Sequence, residues 1–388
     1  MQQRQLKYGC NPNQLSARIY IEEGELPLTI LNGNIGYINL LDALNGYQLV
    51  RELKQAVKQP AAASFKHVSP AGAAIAKKLS ESEAQAFFVS TCDLSDIASA
   101  YARARGTDRV SSFGDFIALS DECDESCARL IRPEVSDGII APSYTKQALE
   151  ILSKKRNGAY NIVKIDSSYT PGEIERRQVY GITFEQHRND ITIDEEMLKD
   201  IVTKNTCLTE DAKRDLLIAL ITLKYTQSNS VCYTNGGQTI GVAAGQQSRI
   251  HCTNLAGDKA DRFNLRLSEN VLSLPFKPSI SRPDRDNAVD MYVSSAHKEL
   301  LENWQHYFLS KPAPFTKQQK AEYIASLSGI SLGSDAFFPF GDNIIRAAKS
   351  GVSYVVQAGG SLRDDEVIAT ANRYNMVMAM CHARFFHH

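Results

Sequence analysis

Residues 61–72 read AAASFKHVSPAG, and this stretch decides how the surrounding chain folds. Residues 61–65 are small and mostly apolar, which predicts a short buried strand. Ser69 and Pro70 then predict the start of a helix, with serine at the N-cap and proline at the first helical position. Lys66 and His67 are therefore expected at a corner where a strand ends and a helix begins.

Such a corner has the chemistry of an anion site. Backbone N–H groups and the positive end of a helix dipole point into it, which suits a phosphate or an oxyanion that forms during a reaction. A histidine beside a cation and a helix start is expected to stay neutral and to accept a proton near pH 7. The residues alone leave open a second interpretation, in which Lys66 and His67 are surface side chains of an ordinary loop.

Outward from this stretch, strand and helix signals alternate and predict an α/β fold. Helical spacing covers residues 38–53 and 145–156, and short apolar runs at 138–141 and 160–165 predict strands. A polar stretch near 188–198 is the expected boundary between two halves. Beyond it we expect a helix capped by Thr209, a hairpin around residues 235–237, helices across 284–327, and a closing helix–strand–helix–strand pattern.

Composition narrows the class of protein. The 388 residues are 43% apolar and 22% charged with a net charge of −1, which is typical of a soluble globular protein and favours neither nucleic-acid nor membrane partners. No run approaches the roughly 18 apolar residues of a membrane span, and the first residues lack the apolar core of a signal peptide. The eight cysteines suit neither a disulfide framework nor a zinc ribbon, so we expect reduced thiols and a cytoplasmic location.

Several segments together resemble one family, the AICAR (5-aminoimidazole-4-carboxamide ribonucleotide) transformylase domain of the bifunctional purine-biosynthesis enzyme that also carries IMP cyclohydrolase. The resemblance spreads over most of the chain in the order of the family. Its segments are residues 8–14, 64–72, 112–116, 135–142, 224–232, 245–253, 334–340 and 384–388.

The resemblance implies an architecture of two halves, residues 1–193 and 194–388. Each half is expected to be an α/β unit like cytidine deaminase, with a helical insertion at about 284–327 in the second. It implies a homodimer with active sites shared between subunits, in which Arg249 and Ile250 of one subunit are expected to meet Lys66, His67 and Asn229 of the other. The cyclohydrolase domain of the bifunctional enzyme is not part of the resemblance, so ring closure is expected from a separate IMP cyclohydrolase.

The resemblance also implies an activity, the transfer of a formyl group from 10-formyltetrahydrofolate to the 5-amino group of AICAR. His67 resembles the family's proton acceptor, and Lys66 resembles the residue that stabilises the tetrahedral oxyanion. Asn229 matches the active-site asparagine that orients the carboxamide or His67. From its position, Asn229 is also expected at the end of a helix, where a C-cap would be its structural role.

Substrate-site residues carry over position by position. Those for the nucleotide are Lys7, Tyr8, Gly114, Asp137, Phe337 and Arg384. Those for the folate are Arg249, Ile250, Asp342, Ser361 and Leu362. Three positions depart from the family. Lys7 stands where the family has an arginine, and lysine binds phosphate less specifically than arginine does. Gly341 also stands in place of an arginine, and Leu362 replaces a smaller residue.

A bound monovalent cation, K⁺, is a further implication of the resemblance. Its oxygen ligands are expected near Thr226, Ser228, Ser230 and Asp335, because hard oxygen donors suit such an ion. Ordinary capping and hairpin hydrogen bonds are the alternative role of these groups.

Two other classes compete with this interpretation. His297 and Glu299 match the first half of a zinc deaminase signature, but no Pro-Cys-x-x-Cys follows them. A non-catalytic nucleotide-binding protein of the same fold is the second alternative, against which the intact Lys66, His67 and Asn229 count.

Overall fold

The computed structural model describes residues 2–90 and 93–388, which form an α/β protein around one eleven-stranded mixed sheet. The elements up to residue 187 are β1 (Gln2–Gln5), β2 (Arg18–Ile21), β3 (Leu28–Asn32), α1 (Tyr37–Val57), β4 (Ala61–Lys66), β5 (Ser69–Ile75), α2 (Glu81–Ala86), α3 (Asp96–Gly106), β6 (Asp115–Leu119), α4 (Glu125–Ile131), β7 (Ser136–Ala141), α5 (Lys146–Ser153), β8 (Asn161–Ile165), β9 (Ile174–Val179) and β10 (Ile182–His187).

The remaining elements are α6 (Glu210–Lys224), β11 (Val231–Asn235), β12 (Gln238–Ala243), α7 (Arg249–Arg266), α8 (Glu269–Leu272), α9 (Arg282–Val293), α10 (His297–Glu302), α11 (Lys317–Ala325), β13 (Ile330–Ser334), α12 (Asp342–Lys349), β14 (Val352–Gln357), α13 (Asp364–Arg373) and β15 (Val377–Met380). The predicted helices and strands of the second half are thereby confirmed, including α6 with Thr209 as its side-chain cap and the β11–β12 hairpin. The insertion at 284–327 contains α9, α10 and α11.

The sheet contains an internal repeat that the residues did not reveal. Its order is β15-β14-β13-β11-β12-β5-β4-β6-β7-β8-β3. In each repeat a helix precedes an antiparallel hairpin, the third strand pairs antiparallel with the first strand of the hairpin, and two further strands follow in parallel. The repeats meet where β5 pairs antiparallel with β12. The division into separate domains at residues 193 and 194 stays a prediction, because the sheet runs through both repeats without interruption.

One prediction at the centre of the sheet is wrong. Ser69 begins strand β5, not a helix, and β5 pairs with β4 as a hairpin. Residues 71–75 are small, apolar and buried between β4 and β12, so their burial outweighs the local N-cap signal. Pro70 lies next to a register irregularity near the start of the strand, where a missing N–H is tolerated.

Glycines allow the helices to pack closely on the central strands. A Cβ at Gly72 in β5 would lie 2.2 Å from the carbonyl oxygen of Ala104 in α3. A Cβ at Gly241 in β12 would lie 2.3 Å from the carbonyl oxygen of Ala256 in α7. The two repeats therefore use the same device at equivalent positions, and it fixes the distance between helix and sheet.

Buried ion pairs attach the insertion to the first repeat. Arg109 donates to the carboxylates of Glu134 and Asp286, and Arg266 donates to Asp286 from α7. Arg282, the first residue of α9, donates to the Glu134 carboxylate at 2.7 Å. Because every carboxylate here has an arginine partner, the network resists movement of the insertion relative to the sheet.

Two further features of the described residues concern membrane-spanning helices and cysteine thiols. None of the helices there is long and apolar enough to cross a membrane. Seven cysteines in the same part of the chain are free thiols, whereas Cys92 lies outside the described residues.

The close approach at Gly241 leads to a prediction of stability. Gly241→Ala places a Cβ against backbone, so overpacking should lower the free energy of unfolding by about 1–3 kcal/mol. Urea unfolding measures the change. Gly172→Ala is the control: its Cβ would have no atom within 4 Å, so the change should stay within about 0.5 kcal/mol. Equal effects for both variants would contradict the packing argument.

Candidate active site

The sheet topology gathers almost all the predicted site residues at one end. Strands β4, β12, β13, β14 and β15 finish at this end, and β5, β6, β7 and β11 begin there. We call it the site end. Residues placed there are Lys66, His67, Gly114, Asp137, Asn229, Arg249, Ile250, Phe337, Asp342, Ser361, Leu362 and Arg384.

Lys66 and His67 lie at the β4–β5 turn. The Lys66 Nζ donates to the carbonyl oxygen of Phe113 at 2.7 Å. His67 is exposed, and both His67 and Val68 have left-handed backbone conformations, with φ of 54° and 57°. The expected strand-to-helix corner is therefore replaced by a tight two-residue turn, and no helix starting at Ser69 contributes a dipole.

A buried carboxylate beneath this turn was missed by the sequence analysis. Asp42 in α1 is 5% exposed, and its Oδ1 accepts the backbone N–H of Val68 at 2.6 Å. Burial raises the pKa of Asp42 from 3.8 to about 6, while the N–H of Val68 and the charge of His67 act in the opposite direction. An acidic residue between Leu40 and Ala43, on the buried side of a predicted helix, was the signal that could have revealed it.

The predicted nucleotide residues of the first repeat lie beside Lys66. Gly114 follows Phe113, whose carbonyl holds Lys66, and it has a φ of 79° that favours glycine. The half-exposed Asp137 carboxylate accepts from Arg156 at 2.9 Å and from Asn39 at 3.4 Å. A carboxylate held in this way can accept hydrogen bonds from the hydroxyl groups of a ligand.

Lys7 and Tyr8 stand apart from this group. The Lys7 Nζ lies 5.7 Å from the centre of the Tyr8 ring. Within the described part of the chain, no hydrogen bond or ion pair connects either side chain to the site end.

In the second repeat, polar groups form a fully connected cluster. Asn229 lies five residues beyond the end of α6 at Lys224, so the expectation of a helix end at Asn229 is wrong. Its Nδ2 donates to the carbonyl oxygen of Gln246 at 2.8 Å, and its Oδ1 accepts from Arg249 at 2.9 Å. The Arg249 guanidinium is 7% exposed and also pairs with the buried Asp335. Arg249 therefore orients Asn229 within the same chain, so the expectation that these two residues meet from different subunits is wrong.

The two repeats are in contact here. The backbone N–H of Gln227 donates to the Oγ of Ser69 at 3.4 Å, next to the β4–β5 turn. Lys66, His67 and Asn229 therefore belong to one continuous surface of a single chain.

The predicted cation ligands form a buried oxygen cluster. The Ser228 hydroxyl and the Ser230 N–H donate to Asp335 Oδ2 at 2.6 and 3.0 Å. The Ser230 Oγ is buried without a hydrogen-bond partner, whereas the Thr226 hydroxyl donates to the carbonyl of Thr222 at 2.7 Å. An orphaned hydroxyl beside a carboxylate fits a hard monovalent cation.

The remaining predicted residues are exposed or half-buried at the site end. Phe337 is 37% exposed and Leu362 is fully exposed. The Arg384 guanidinium lies 5.4 Å from the Phe386 ring. Asp342 and Ser361 begin or precede helices α12 and α13, and Ile250 lies in the first turn of α7.

The departure at Gly341 has a physical reason. A Cβ at this position would lie 2.5 Å from the Oγ1 of Thr370 in α13, so no larger residue fits without movement. A nearby cation that the sequence analysis missed is Arg363, whose guanidinium lies 5.0 Å from the centre of the exposed Phe340 ring. Arg363 therefore places a positive charge close to where the family has its arginine.

A cavity of about 670 Å³ lies elsewhere, between the second half of α1 and the base of the β9–β10 hairpin. Its Glu52 carboxylate accepts from Lys224 at 2.8 Å and from the Tyr225 hydroxyl at 2.5 Å. The cavity holds none of the predicted site residues, and its size alone does not make it the reaction site.

The deaminase signature lies in the insertion. His297 is the first residue of α10, and its Nδ1 is buried without a partner. Across residues 2–90 and 93–388, no three histidine, cysteine, aspartate or glutamate side chains cluster as metal ligands would. The signature has no supporting geometry in that part of the chain.

The raised pKa of Asp42 predicts how stability changes with pH. Its native-state pKa lies above the unfolded value, so the stability linked to this group is complete below pH 3.8 and is lost as pH rises through 6. A pKa difference of this size between the native and unfolded states corresponds to about 3 kcal/mol. Asp42→Asn should therefore match the wild type near pH 4 and exceed its unfolding free energy by up to about 3 kcal/mol at pH 8.

Urea unfolding at both pH values measures this difference. Glu23→Gln, which neutralises an exposed carboxylate, is the control and should change stability by less than about 0.5 kcal/mol at either pH. A less stable Asp42→Asn protein at pH 8 would show that the ionised carboxylate stabilises the fold.

Comparison with known sequences agrees with this geometry. The sequence model described as AICARFT/IMPCHase bienzyme matches residues 1–259. Similar proteins, each named bifunctional purine biosynthesis protein PurH, come from Magnetococcus marinus (32% identical), Roseobacter denitrificans (30%) and Bartonella tribocorum (30%). Each alignment covers 99% of this chain but only 58–59% of the relative. The family model matches more than half of the residues of this chain, and the fold gathers the motif residues at one end of its sheet. The chain therefore belongs to the AICARFT/IMPCHase bienzyme family.

Proposed function

We propose that this chain is an AICAR formyltransferase of de novo purine biosynthesis. It would transfer the formyl group of 10-formyltetrahydrofolate to the 5-amino group of AICAR. The observation that carries the proposal is the position of Lys66 and His67 on an exposed turn, next to the Asn229–Arg249 cluster of the second repeat.

The chemistry requires a base, an oxyanion partner and an orienting group. The 5-amino nitrogen attacks the formyl carbon while His67 accepts the amine proton. The tetrahedral oxyanion would face the ammonium of Lys66, whose Nζ is positioned by the carbonyl oxygen of Phe113. The C–N10 bond then breaks, and N10 takes a proton from Lys66. Asn229, fixed by Arg249 and Gln246, orients the carboxamide.

In a shared site, the nucleotide and the folate would contact the site ends of different subunits. The nucleotide would contact Gly114, Asp137 and Phe337, and its phosphate would meet Arg384, with Lys7 and Tyr8 closing the pocket. The folate would lie toward the starts of α7, α12 and α13, beside Arg249, Ile250, Asp342, Ser361 and Leu362. A K⁺ ion held by Ser228, Ser230, Thr226 and Asp335 would fix the segment that carries Asn229.

The proposal includes a homodimer with shared sites. The β9–β10 hairpin is exposed along its whole length, although one face carries Val179, Ile182 and Phe184. An isolated two-stranded hairpin is marginally stable, so a covering surface is expected. Glu175 and Arg177 of this hairpin interact electrostatically with His387, whose backbone is bonded to Ser228. A second copy covering the hairpin would therefore adjoin the site end.

A cytoplasmic location is part of the same proposal. Free thiols persist in reducing compartments, and seven are found in the described residues. The alternative, a non-catalytic nucleotide-binding protein, would bind AICAR without turnover, and one assay separates the two.

Turnover should depend on His67 and Lys66. We expect His67→Ala to lower kcat by about 10²–10⁴-fold with little change in the KM for AICAR, since a lost base affects the transition state. Lys66→Met should lower kcat by about 10²–10³-fold, and Lys66→Arg should recover only part of it, because guanidinium does not release a proton near neutrality. Formation of tetrahydrofolate from AICAR and 10-formyltetrahydrofolate is the measurement.

Lys78→Met is the matched control, since this exposed lysine follows β5 at the end of the sheet opposite the site. It should keep wild-type kcat. Wild-type turnover in His67→Ala would end its assignment as the base. AICAR binding without any turnover in the unmodified protein would favour the non-catalytic alternative.

Shared sites predict complementation between two inactive variants. His67→Ala damages the amine side and Asp342→Ala damages the folate side, and both side chains are exposed, so neither change should disturb the fold. After random subunit exchange, half of the dimers are mixed, and one of their two sites is intact. Activity should return to roughly a quarter of the wild-type value.

Subunit exchange is monitored with differently tagged subunits, and size-exclusion chromatography gives the oligomeric state. Recovery below one part in a hundred despite proven exchange would show that each subunit supplies a complete site. A fully active monomer would have the same meaning.

A further inference from the structure

The two repeats hold their hairpin turns by the same contact. In the second repeat, the carboxylate of Asp215 accepts the N–H groups of Gly236 and Gly237 at 2.6 and 2.7 Å. In the first, the carboxylate of Asp42 accepts the N–H of Val68 at 2.6 Å. Each aspartate is buried and is the sixth residue of the helix that precedes its hairpin. We call this contact the helix-to-turn clamp.

The turns themselves differ in a way that matters. Gly236 and Gly237 have φ of 60° and 89°, which glycine adopts without steric cost. His67 and Val68 have φ of 54° and 57°, which costs free energy for any residue with a Cβ and is exceptional for a β-branched one. The first turn therefore needs its clamp more than the second.

The clamp also determines where the imidazole of His67 lies. Among the hydrogen bonds of the described residues, none holds the ring of His67, so its orientation follows from the backbone of the turn. The charges of Asp42 and His67 attract each other, and the N–H of His67 also stabilises the ionised Asp42 carboxylate.

We propose that Asp42 is the positioning residue of the formyl transfer, holding His67 and Val68 in the left-handed turn that presents the imidazole to the amine. The role in turnover rests on the proposed function, whereas the role in holding the turn does not. Asp215 performs the same structural task at the opposite end of the sheet, where no predicted site residue lies.

The experiment compares the two clamps. Asp42→Ala should lower kcat by about 30–100-fold and leave the KM for both substrates within about threefold, because binding groups are unaffected. Asp42→Asn keeps one acceptor oxygen for Val68 but not the charge, so its kcat should fall between the wild type and Asp42→Ala, although its fold should be more stable at pH 8. Asp215→Ala should lose stability but keep kcat within about twofold.

A rescue variant isolates the backbone role. Val68→Gly in the Asp42→Ala background allows the left-handed turn without a clamp, so kcat should rise by about tenfold over Asp42→Ala. A kcat for Asp42→Ala within twofold of the wild type would overturn the proposal. An equal loss of kcat in Asp215→Ala would also overturn it, since the effect would then be general.

Histidine NMR gives a readout that does not need turnover. In protein labelled with ¹³Cε1-histidine, the His67 resonance is assigned by its loss in His67→Ala. It should shift or broaden in Asp42→Ala and return in the double variant, but stay unchanged in Asp215→Ala. An unchanged resonance in Asp42→Ala overturns the positioning role, whereas a shifted resonance in a protein without formyl transfer would count only against the proposed function.

Discussion

The antiparallel junction of β5 with β12 is the contact on which the rest of the structure depends. Thr239 receives the N–H of Ala73 on its Oγ1 at 2.9 Å, and the Thr107 hydroxyl donates to the carbonyl of Thr239 at 2.6 Å. Because the repeats meet antiparallel, the end of β4 in one lies at the same end of the sheet as the start of β11 in the other. This arrangement brings the segments of Lys66 and Asn229 together without a long loop.

The two repeats contribute different physical qualities to the site. The second supplies buried, mutually bonded groups, of which Arg249 and Asp335 are the centre. Such a network is costly to desolvate but strongly favours one arrangement when all its groups are paired. The first supplies an exposed turn with reactive side chains. A rigid orienting half thus faces a half whose chemistry is accessible to solvent and ligand.

The sequence predicted the elements whose signals are local. Thr209 accepts the N–H of Ala212 as a cap should, and the Asn235-Gly236-Gly237 turn joins two strands as expected. Ser69 and Pro70 gave an equally clear local signal, yet they begin a strand, because they pair with Lys66 and Phe65 of β4 and the strand is then buried between β4 and β12. Asp42 was missed for the same reason: its partner is a turn that only the folded sheet brings beneath the helix. The site residues found through family resemblance needed no such knowledge of the fold, and their roles stay predictions.

Gly341 changes the surface that is available to a designed ligand, because it leaves no side chain at a position where arginine was expected. A ligand whose acidic group is matched to an arginine at this position would find backbone and the Oγ1 of Thr370. The available cation is Arg363, which stacks on Phe340 and also pairs with Glu366. A flat, electron-rich ring that displaces Arg363 from Phe340, with its acid extended toward the freed guanidinium, would suit this surface better. Selectivity against proteins with an arginine at this position would therefore depend on a single side chain, that of Arg363.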